Sequence, residues 1–230
     1  MKFSKAFTLA ETLMVIGIIG VVAALTLPNL NNSTRDIEYV SMFKKSVSDI
    51  QTALDLAKDK YGDYDTWFPS NASATQNVTT VGERLSEYIL PMKTCGLNTG
   101  RICFANSNTT SISGSAVNNT NYDSNANIYK FVLKDGSSLA IISPNSFIVD
   151  LDGSNKGYNT VGIDIFSIPI SDEGNTSTTA GMDSGLWDNS NAITSCRSGD
   201  ANNCTYWISE FDNNDYIRCA DLTKTKTTCN

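Results

Sequence analysis

The amino-acid sequence predicts an α+β protein in which one long N-terminal helix packs against an antiparallel β-sheet, with loops closed by disulfides. Residues 7–60 are helix-forming sequence with a single proline. Short alternating apolar segments, separated by turn residues, follow from position 129 onwards. The six cysteines all lie beyond the predicted helix. A length of 230 residues suits one domain and an anchor.

The first half of the predicted helix is nearly free of charge. No side chain from Thr12 to Leu27 is ionisable, and the basic residues Lys2 and Lys5 stand before the apolar run. The 21 residues of 7–27 would form a helix of about 30 Å, which is enough to cross a bilayer. We therefore expect residues 7–30 to lie in a membrane or in the core of a filament.

The second half of the helix, residues 31–62, is amphipathic. Its apolar residues recur at steps of three and four, and charged residues occupy the opposite side. Gly62 is a plausible end of the helix. Because the chain that follows is rich in strands, we expect the apolar seam to pack on a sheet, with a two-chain coiled coil as the alternative. The seam consists of Ile37, Val40, Phe43, Val47, Ile50, Leu54, Ala57 and Tyr61.

Glu11 is the only charged side chain in the first half of the helix. A carboxylate within an apolar membrane helix costs roughly 2.5–3.5 kcal/mol, so this side chain should have a partner. The sequence offers no cation within one helical turn after it. One candidate is a new α-amino group at Phe7, created by cleavage after Ala6 and supplied by a neighbouring copy of the chain.

The segment Ala6–Glu11 resembles the processing site of type IV prepilins and type II secretion pseudopilins. In that family a short basic leader is removed before a Phe, the new N-terminus is methylated, and a Glu is kept at the fifth mature position. Glu11 is the fifth residue counted from Phe7. The residue before the cleavage site is usually Gly, so Ala6 predicts slower processing.

The resemblance implies a leader of residues 1–6, cleavage by prepilin peptidase between Ala6 and Phe7, and methylation of Phe7. It also implies assembly through Glu11 and a helix kink at Pro28.

Two other kinds of N-terminal segment fit the sequence less well. A secretory signal peptide has an apolar region of 7–15 residues, shorter than this one. An ordinary signal anchor fits the length but leaves Glu11 unexplained.

The function implied is that of a structural subunit of a type IV pilus or a type II secretion pseudopilus. Such a protein crosses the bacterial inner membrane once and places its head domain, residues 63–230, in the periplasm or outside the cell. Its partners would be other pilins or pseudopilins, the prepilin peptidase, the inner-membrane assembly machinery and lipid. A binding protein at a filament tip or on a membrane anchor, such as an adhesin, stays open as the alternative.

The composition argues against two other classes of function. A net charge of −7 and the lack of a cluster of basic residues argue against binding to nucleic acid. The chain has no histidine, which is the commonest general base, and we therefore do not expect an enzyme.

An even number of cysteines in a translocated domain predicts disulfides.

The head domain begins with a short predicted helix over residues 81–90. Residues 105–127 are so rich in Ser, Thr and Asn that we expect an exposed loop, and a second surface loop is predicted between 171 and 192. Alternation and the turn at Asp135-Gly136 predict strands over 129–133, 139–142, 147–151 and 163–168. Trp207 and Tyr216 are expected in the core.

Six cysteines allow 15 pairings, and the sequence does not choose among them. Seven residues separate Cys95 from Cys103, so we expect these two neighbours to pair. The pairing of the other four stays open, and one alternative joins Cys204 to Cys219. These four are Cys196, Cys204, Cys219 and Cys229.

An acidic, glycine-rich stretch from Asp150 to Phe166 resembles a segment of many pseudopilin-like proteins. Oxygens of Asp150, Asp152, Ser154 and Asn155 could converge on a hard cation such as Ca²⁺. The alternative is that Asp and Asn only stabilise a turn through hydrogen bonds from side chain to backbone. No other cofactor is expected.

Overall fold

The computed structural model describes residues 8–100, 102–117, 121–154, 159–178 and 191–229, with the side chains of 23–36 and of Asn191 excepted. The chain divides into two compact units, Met1–Glu38 and Tyr39–Asn230. The longer elements are α1 (Leu9–Tyr61), α2 (Ala74–Ile89), β1 (Lys93–Gly96), β2 (Tyr129–Val132), β3 (Ser138–Ser143), β4 (Ser146–Asp150), β5 (Ile165–Pro169), α3 (Asn191–Arg197) and α4 (Ala201–Phe211). Short 3-10 helices occupy Tyr64–Trp67 and Asp215–Ile217.

Helix α1 has the length that the sequence predicts. It ends at Tyr61, where Gly62 takes a left-handed conformation (φ +81°) and donates its backbone N–H to the carbonyl of Lys58 at 2.9 Å. Pro28 lies within the helix rather than at its end, and the kink expected there stays a prediction. No helix within the described part of the chain meets the length and hydropathy needed to cross a membrane.

The sheet is a five-stranded antiparallel meander in the order β1-β2-β3-β4-β5. The α+β class and the four predicted strands are confirmed, and the turn at Asp135-Gly136 joins β2 to β3. Strand β1 was not predicted, because its four residues are too few to show alternation; it pairs with β2 with a register shift between Thr94 and Gly96. Each strand pairs with the next along the chain, with short hairpin turns between β2, β3 and β4 and longer connections from β1 to β2 and from β4 to β5.

The second half of α1 packs on one face of this sheet. The ring centroids of Phe43 and Phe166 lie 5.1 Å apart, which joins the helix to β5. The apolar seam is therefore buried within its own chain, and a coiled coil is not needed to cover it. Ile37 is an exception, because it precedes the second unit and is 66% exposed. The buried seam residues are Val40, Phe43, Ile50, Leu54 and Ala57.

Helix α2 covers the same face, where Gly82 lies directly against the ring of Tyr129. The helix begins at Ala74, seven residues before the predicted start. Ser73 and Gln76 form a capping box, in which each side chain accepts a hydrogen bond from the backbone N–H of the other residue. This serine–glutamine spacing was readable in the sequence and was missed.

The described residues of 105–127 form no helix or named strand, as predicted, but the loop is exposed only in part, because many of its residues are buried or half-buried. Phe104 and Tyr122 are buried, and they anchor its two ends in the core. Lys130 on the second face of the sheet is buried and donates to the carbonyl oxygens of Asp123 at 3.2 Å and Asn125 at 2.7 Å. Two apolar anchors and these hydrogen bonds outweigh the polar composition. Buried polar residues in the segment are Thr109, Ser111 and Asp123.

Helices α3 and α4 complete the cover of the second face near β5. The hydroxyl of Thr205 on α4 donates to the carbonyl of Ser167 on β5 at 2.5 Å. Trp207 and Tyr216 are fully buried, as expected. Of the surface loop predicted between 171 and 192, residues 179–190 lie outside the described residues.

Every cysteine is paired with its neighbour in sequence. The bond between Cys95 and Cys103 confirms the predicted pair. The pairing left open among the other four is also local. In the chain-entropy model, closing loops of this size contributes about 2–3 kcal/mol each. The bonds found are Cys95–Cys103, Cys196–Cys204 and Cys219–Cys229.

We expect Phe43→Ala to lower the free energy of unfolding by about 3–5 kcal/mol, because it leaves a cavity against Phe166. Leu56→Ala is the matched control on the same helix and should lose less than about 1 kcal/mol, since Leu56 is 45% exposed. Denaturant titration followed by the fluorescence of the buried Trp67 and Trp207 measures both values. Equal losses in the two variants would contradict this packing of α1.

Candidate functional site

The described part of the N-terminal segment begins at Thr8, so the predicted cleavage site at Ala6 and Phe7 lies outside the described residues. Glu11 Oε2 accepts hydrogen bonds from the backbone N–H and the hydroxyl of Thr8, both at 2.8 Å. The backbone N–H of Glu11 donates in return to the Thr8 hydroxyl at 3.3 Å. This is a capping box at the start of α1, which the Thr-x-x-Glu spacing could have revealed.

The capping box gives Glu11 a partner within its own chain. It therefore supplies a second explanation for a carboxylate at this position, beside an ion pair with a neighbouring copy. Both hydrogen bonds from Thr8 go to the same oxygen, Oε2. The geometry thus fixes the carboxylate at the first turn of α1, where a negative charge is also favoured by the helix dipole.

The residues that follow present an apolar surface to solvent. Nine large apolar side chains between positions 9 and 22 are each more than half exposed. An apolar patch of this extent marks a surface that contacts another protein or lipid. The nine are Leu9, Leu13, Met14, Val15, Ile16, Ile18, Ile19, Val21 and Val22.

A second candidate site lies at the end of β4, where three carboxylates meet. Asp150 is the last residue of the strand, Asp152 follows it in the loop, and Asp164 directly precedes β5. The backbone N–H of Leu151 donates to the carbonyl of Asp164 at 2.9 Å, which continues the β4–β5 pairing. One oxygen of each of the three carboxylates lies within 4.8 Å of the others.

Gly153 lies in the loop that follows β4, directly after Asp152, and it packs this loop against the β2–β3 turn. Its φ is +70°, and a Cβ atom there would lie 2.0 Å from the carbonyl oxygen of Gly136 in the β2–β3 turn. Only glycine allows this approach. The two turns therefore pack directly on each other, which limits the movement of Asp150 and Asp152.

Hydrogen bonds from three different parts of the fold reach the carboxylates of the cluster. The backbone N–H of Gly153 donates to Asp150 Oδ1 at 2.8 Å, and that of Thr160 donates to Asp164 Oδ1 at 2.6 Å. The hydroxyl of Tyr39 on α1 donates to Asp152 Oδ2 at 3.3 Å. Asp150 and Asp164 are buried, and Asp152 is half-buried.

Burial raises the pKa of both buried carboxyls. Desolvation is the main cause at Asp150, and the negative charges of Asp164 and Asp152 raise its pKa further, well above the ordinary range. Desolvation also raises the pKa of Asp164 to about 7, although the backbone N–H of Thr160 partly opposes the shift. Two acids with raised pKa values side by side are typical of a functional site, and also of a structural cluster.

The structure brings together two of the four predicted ligands, Asp150 and Asp152. Ser154 is half-buried two residues further on, and its role as a ligand stays a prediction. Asn155 lies outside the described residues. The turn-forming role considered as the alternative is also present, because Asp150 accepts the N–H of Gly153.

The sequence reasoning missed Asp164 as a member of the cluster. Its side chain is 14 residues from Asp150 in sequence, and only the pairing of β4 with β5 brings the two together. The signal was available in principle, since a hairpin between the third and fourth predicted strands places the start of one beside the end of the other.

Comparisons of this chain with protein-family models, with curated proteins and with solved structures gave no match.

We expect Asp164→Asn to stabilise the protein in the presence of a chelator. An amide keeps the hydrogen bond from Thr160 and removes a buried charge. Because the pKa of Asp164 is higher in the folded than in the unfolded state, the stability that its proton provides is present at about pH 4 and is lost as the pH rises through about 7. The gain of the variant should therefore grow over this range, to on the order of 2 kcal/mol at pH 8.

Thermal unfolding in EDTA between pH 5 and pH 8 measures this gain. Asp65→Asn is the control, because Asp65 is exposed and distant in sequence from the cluster. A variant at position 164 that is less stable than the parent at pH 8 would show that the carboxylate has a stabilising partner.

Proposed function

We propose that this protein is a structural subunit of a type IV pilus or a type II secretion pseudopilus. In this proposal prepilin peptidase cleaves between Ala6 and Phe7, and the mature chain assembles through α1. The observation that carries the proposal is the exposed apolar surface of residues 9–22, which follows directly on the prepilin-like segment Ala6–Glu11. The pilin-like character of the fold belongs to the same proposal.

The apolar surface supports assembly because nothing in the described part of the chain covers it. Moving one large apolar side chain out of water contributes about 1.5–3 kcal/mol, so nine of them strongly favour an apolar environment, either lipid or neighbouring subunits, over water. Lipid would cover this surface before assembly, and the same helices of neighbouring subunits would cover it afterwards. The later part of α1, in contrast, is already covered by the sheet of its own chain.

Glu11 supports the proposal through charge. The Thr8 hydrogen bonds orient its carboxylate through Oε2 at the first turn of the helix. In the proposed filament, the carboxylate pairs with the α-amino group of Phe7 in an adjacent subunit. Methylation leaves that nitrogen positively charged, so the ion pair survives it.

The disulfides support the proposed location of the head domain. Three bonds among six cysteines are typical of proteins that fold in an oxidising compartment, such as the bacterial periplasm. We therefore propose a single pass through the inner membrane, with the head in the periplasm or, after assembly, at the cell surface. The proposed partners are other pilin-like subunits, the peptidase, the assembly machinery and lipid.

We expect Glu11→Gln to insert into the membrane normally but to enter filaments poorly, at less than about a tenth of the parent level, because the loss of a desolvated ion pair exceeds about 1.4 kcal/mol. The amide oxygen can still accept the hydrogen bonds of Thr8, so the cap is kept and only the charge is removed. Quantifying the chain in sheared filaments and in membranes measures both steps. Assembly of the glutamine variant at the parent level would reject the ion pair.

Thr8→Val provides the matched control for the cap. It removes the hydroxyl that bonds Glu11 but keeps the charge. Under the proposal this variant assembles better than Glu11→Gln. The reverse order would assign the role of Glu11 to the cap alone.

We expect Ala6→Leu to block removal of the leader, because a large side chain replaces a small one beside the proposed cleavage site. Intact-mass measurement of the chain from membranes should then show residues 1–6 retained. Ala6→Gly is the control and should be processed at least as completely as the parent. A parent chain that begins at Met1 in native filaments would contradict the proposed processing.

A further inference from the structure

We propose that the disulfide between Cys219 and Cys229 is a redox-sensitive closure, which a dithiol reductant opens while the rest of the head domain stays folded. The bond closes the loop of residues 219–229, which follows the short 3-10 helix at Asp215–Ile217. The inference does not depend on the filament function proposed above, because none of these residues belongs to the exposed segment of α1.

Access to solvent separates this bond from the other two. The four cysteines of the other bonds are each at most 1% exposed, whereas Cys219 and Cys229 are both half-buried. An attacking thiolate must reach one sulfur of the bond directly, so the rate of reduction depends on this access. Exposed disulfides are also the ones that act as labile or regulatory bonds. Reduction of the folded protein should therefore begin at Cys219–Cys229.

The second half of the loop is held by few interactions besides the disulfide. Within the described part of the chain, the loop contains no helix or strand. Asn213 Nδ2 donates to the carbonyl of Thr227 at 3.1 Å, and Asp215 Oδ2 accepts the backbone N–H of Cys229 at 2.9 Å. The net contribution of each such hydrogen bond to stability is small. The covalent bond is thus the main closure of this part of the loop.

Leu222 limits how far the loop can open. Its side chain is 1% exposed, so it keeps the first part of the loop on the head domain after the bond is broken. The ion pair of Lys226 with Asp221 is exposed, and such pairs contribute little to stability. We therefore expect residues 223–229 to be released while residues 219–222 stay in place.

The base of the loop is anchored independently of the disulfide. Tyr216 is fully buried, and its hydroxyl donates to the carbonyl of Gly162 at 2.8 Å. Arg197 Nη1 donates to the carbonyls of Tyr216 at 2.5 Å and Ile217 at 2.9 Å. None of these contacts involves a cysteine. Breaking the bond therefore leaves the 3-10 helix attached to the core, and the opening is local.

The surroundings of Cys229 also suit the reduced state. Its sulfur lies 3.4 Å from the backbone carbonyl oxygen of Asp215. A thiol at this position can donate a weak hydrogen bond to that oxygen, which the disulfide cannot do because it carries no hydrogen. The reduced form thus has an interaction available that the oxidised form lacks.

The opening reaction is a thiol–disulfide exchange with a dithiol. One thiolate of the dithiol attacks a sulfur of the bond, and the S–S bond breaks as the other cysteine leaves as a thiolate. The second thiolate of the dithiol then attacks the mixed disulfide and releases the remaining cysteine. The dithiol is oxidised to a disulfide, both cysteines are reduced, and two protons pass from the dithiol through solvent to the cysteine sulfurs. A disulfide oxidant reverses the reaction and closes the loop again.

Partial reduction of the full chain, purified in mild detergent, tests the proposal. The chain is equilibrated with graded ratios of reduced to oxidised dithiothreitol, alkylated, and mapped by mass spectrometry. We expect Cys219 and Cys229 to be alkylated together, at a ratio at least about tenfold lower than the other four cysteines require, which corresponds to about 30 mV for a two-electron couple. Thermal unfolding of this partly reduced chain should stay cooperative.

Trypsin shows whether the loop opens when the bond is reduced. The initial rate of cleavage after Lys224 and Lys226 should rise at least about tenfold, because cleavage follows the population of the open form. Cys219→Ser combined with Cys229→Ser should give the same fast cleavage without a reductant. Cleavage after Lys130, which is buried in β2, is the control and should not change.

Alkylation of any of the other four cysteines at the same or a lower ratio would overturn the proposal. Alkylation of Cys219 and Cys229 only where the chain unfolds would overturn it too, as would an unchanged rate of cleavage after reduction. If the double serine variant does not fold, the reduced parent chain alone decides the outcome. Filament assembly enters none of these measurements, so this proposal and the proposed function can fail separately.

Discussion

The structure depends on where the apolar side chains of helix α1 are buried. The part of α1 from Val40 to Ala57 is covered by the sheet of the same chain, through contacts such as that of Phe43 with Phe166. The part from Leu9 to Val22 has no such cover among the described residues. Apolar surface of this extent is rarely left in water. The head domain buries the apolar side of the later part of α1 within its own chain, whereas the segment from Leu9 to Val22 needs lipid or another protein to cover it.

The acidic cluster shows the opposite situation, in which polar groups are buried rather than apolar groups exposed. Asp150 and Asp164 lie at the junction of two strands, and their carboxyls are taken out of water by the fold itself. A charge in such a place is retained only with a compensating partner, whether a proton or an ion. Each of these two features requires a compensating partner: an apolar environment for the exposed surface, and a proton or a cation for the buried carboxyls.

Local signals predicted most of the fold. The period of the apolar residues identified the seam of α1, Gly62 marked its end, and Asp135-Gly136 identified the central hairpin, because each of these depends on a few neighbouring residues. Features that depend on distant residues were missed. Composition made residues 105–127 look exposed, but Phe104 and Tyr122 pull that segment into the core. Asp164 joins the cluster only through the β4–β5 pairing; the sequence predicted both strands, and the pairing between them is what places Asp164 beside Asp150.

The connectivity of the disulfides has a consequence for how the head domain matures. Each bond joins a cysteine to the next one along the chain, at a sequence separation of 8 or 10. If the thiols become available in that same order, an external oxidant that joins each unpaired thiol to the next one along the chain yields the native pattern. Such a chain reaches its final covalent form without reshuffling by a disulfide isomerase, and a simple thiol oxidant is sufficient.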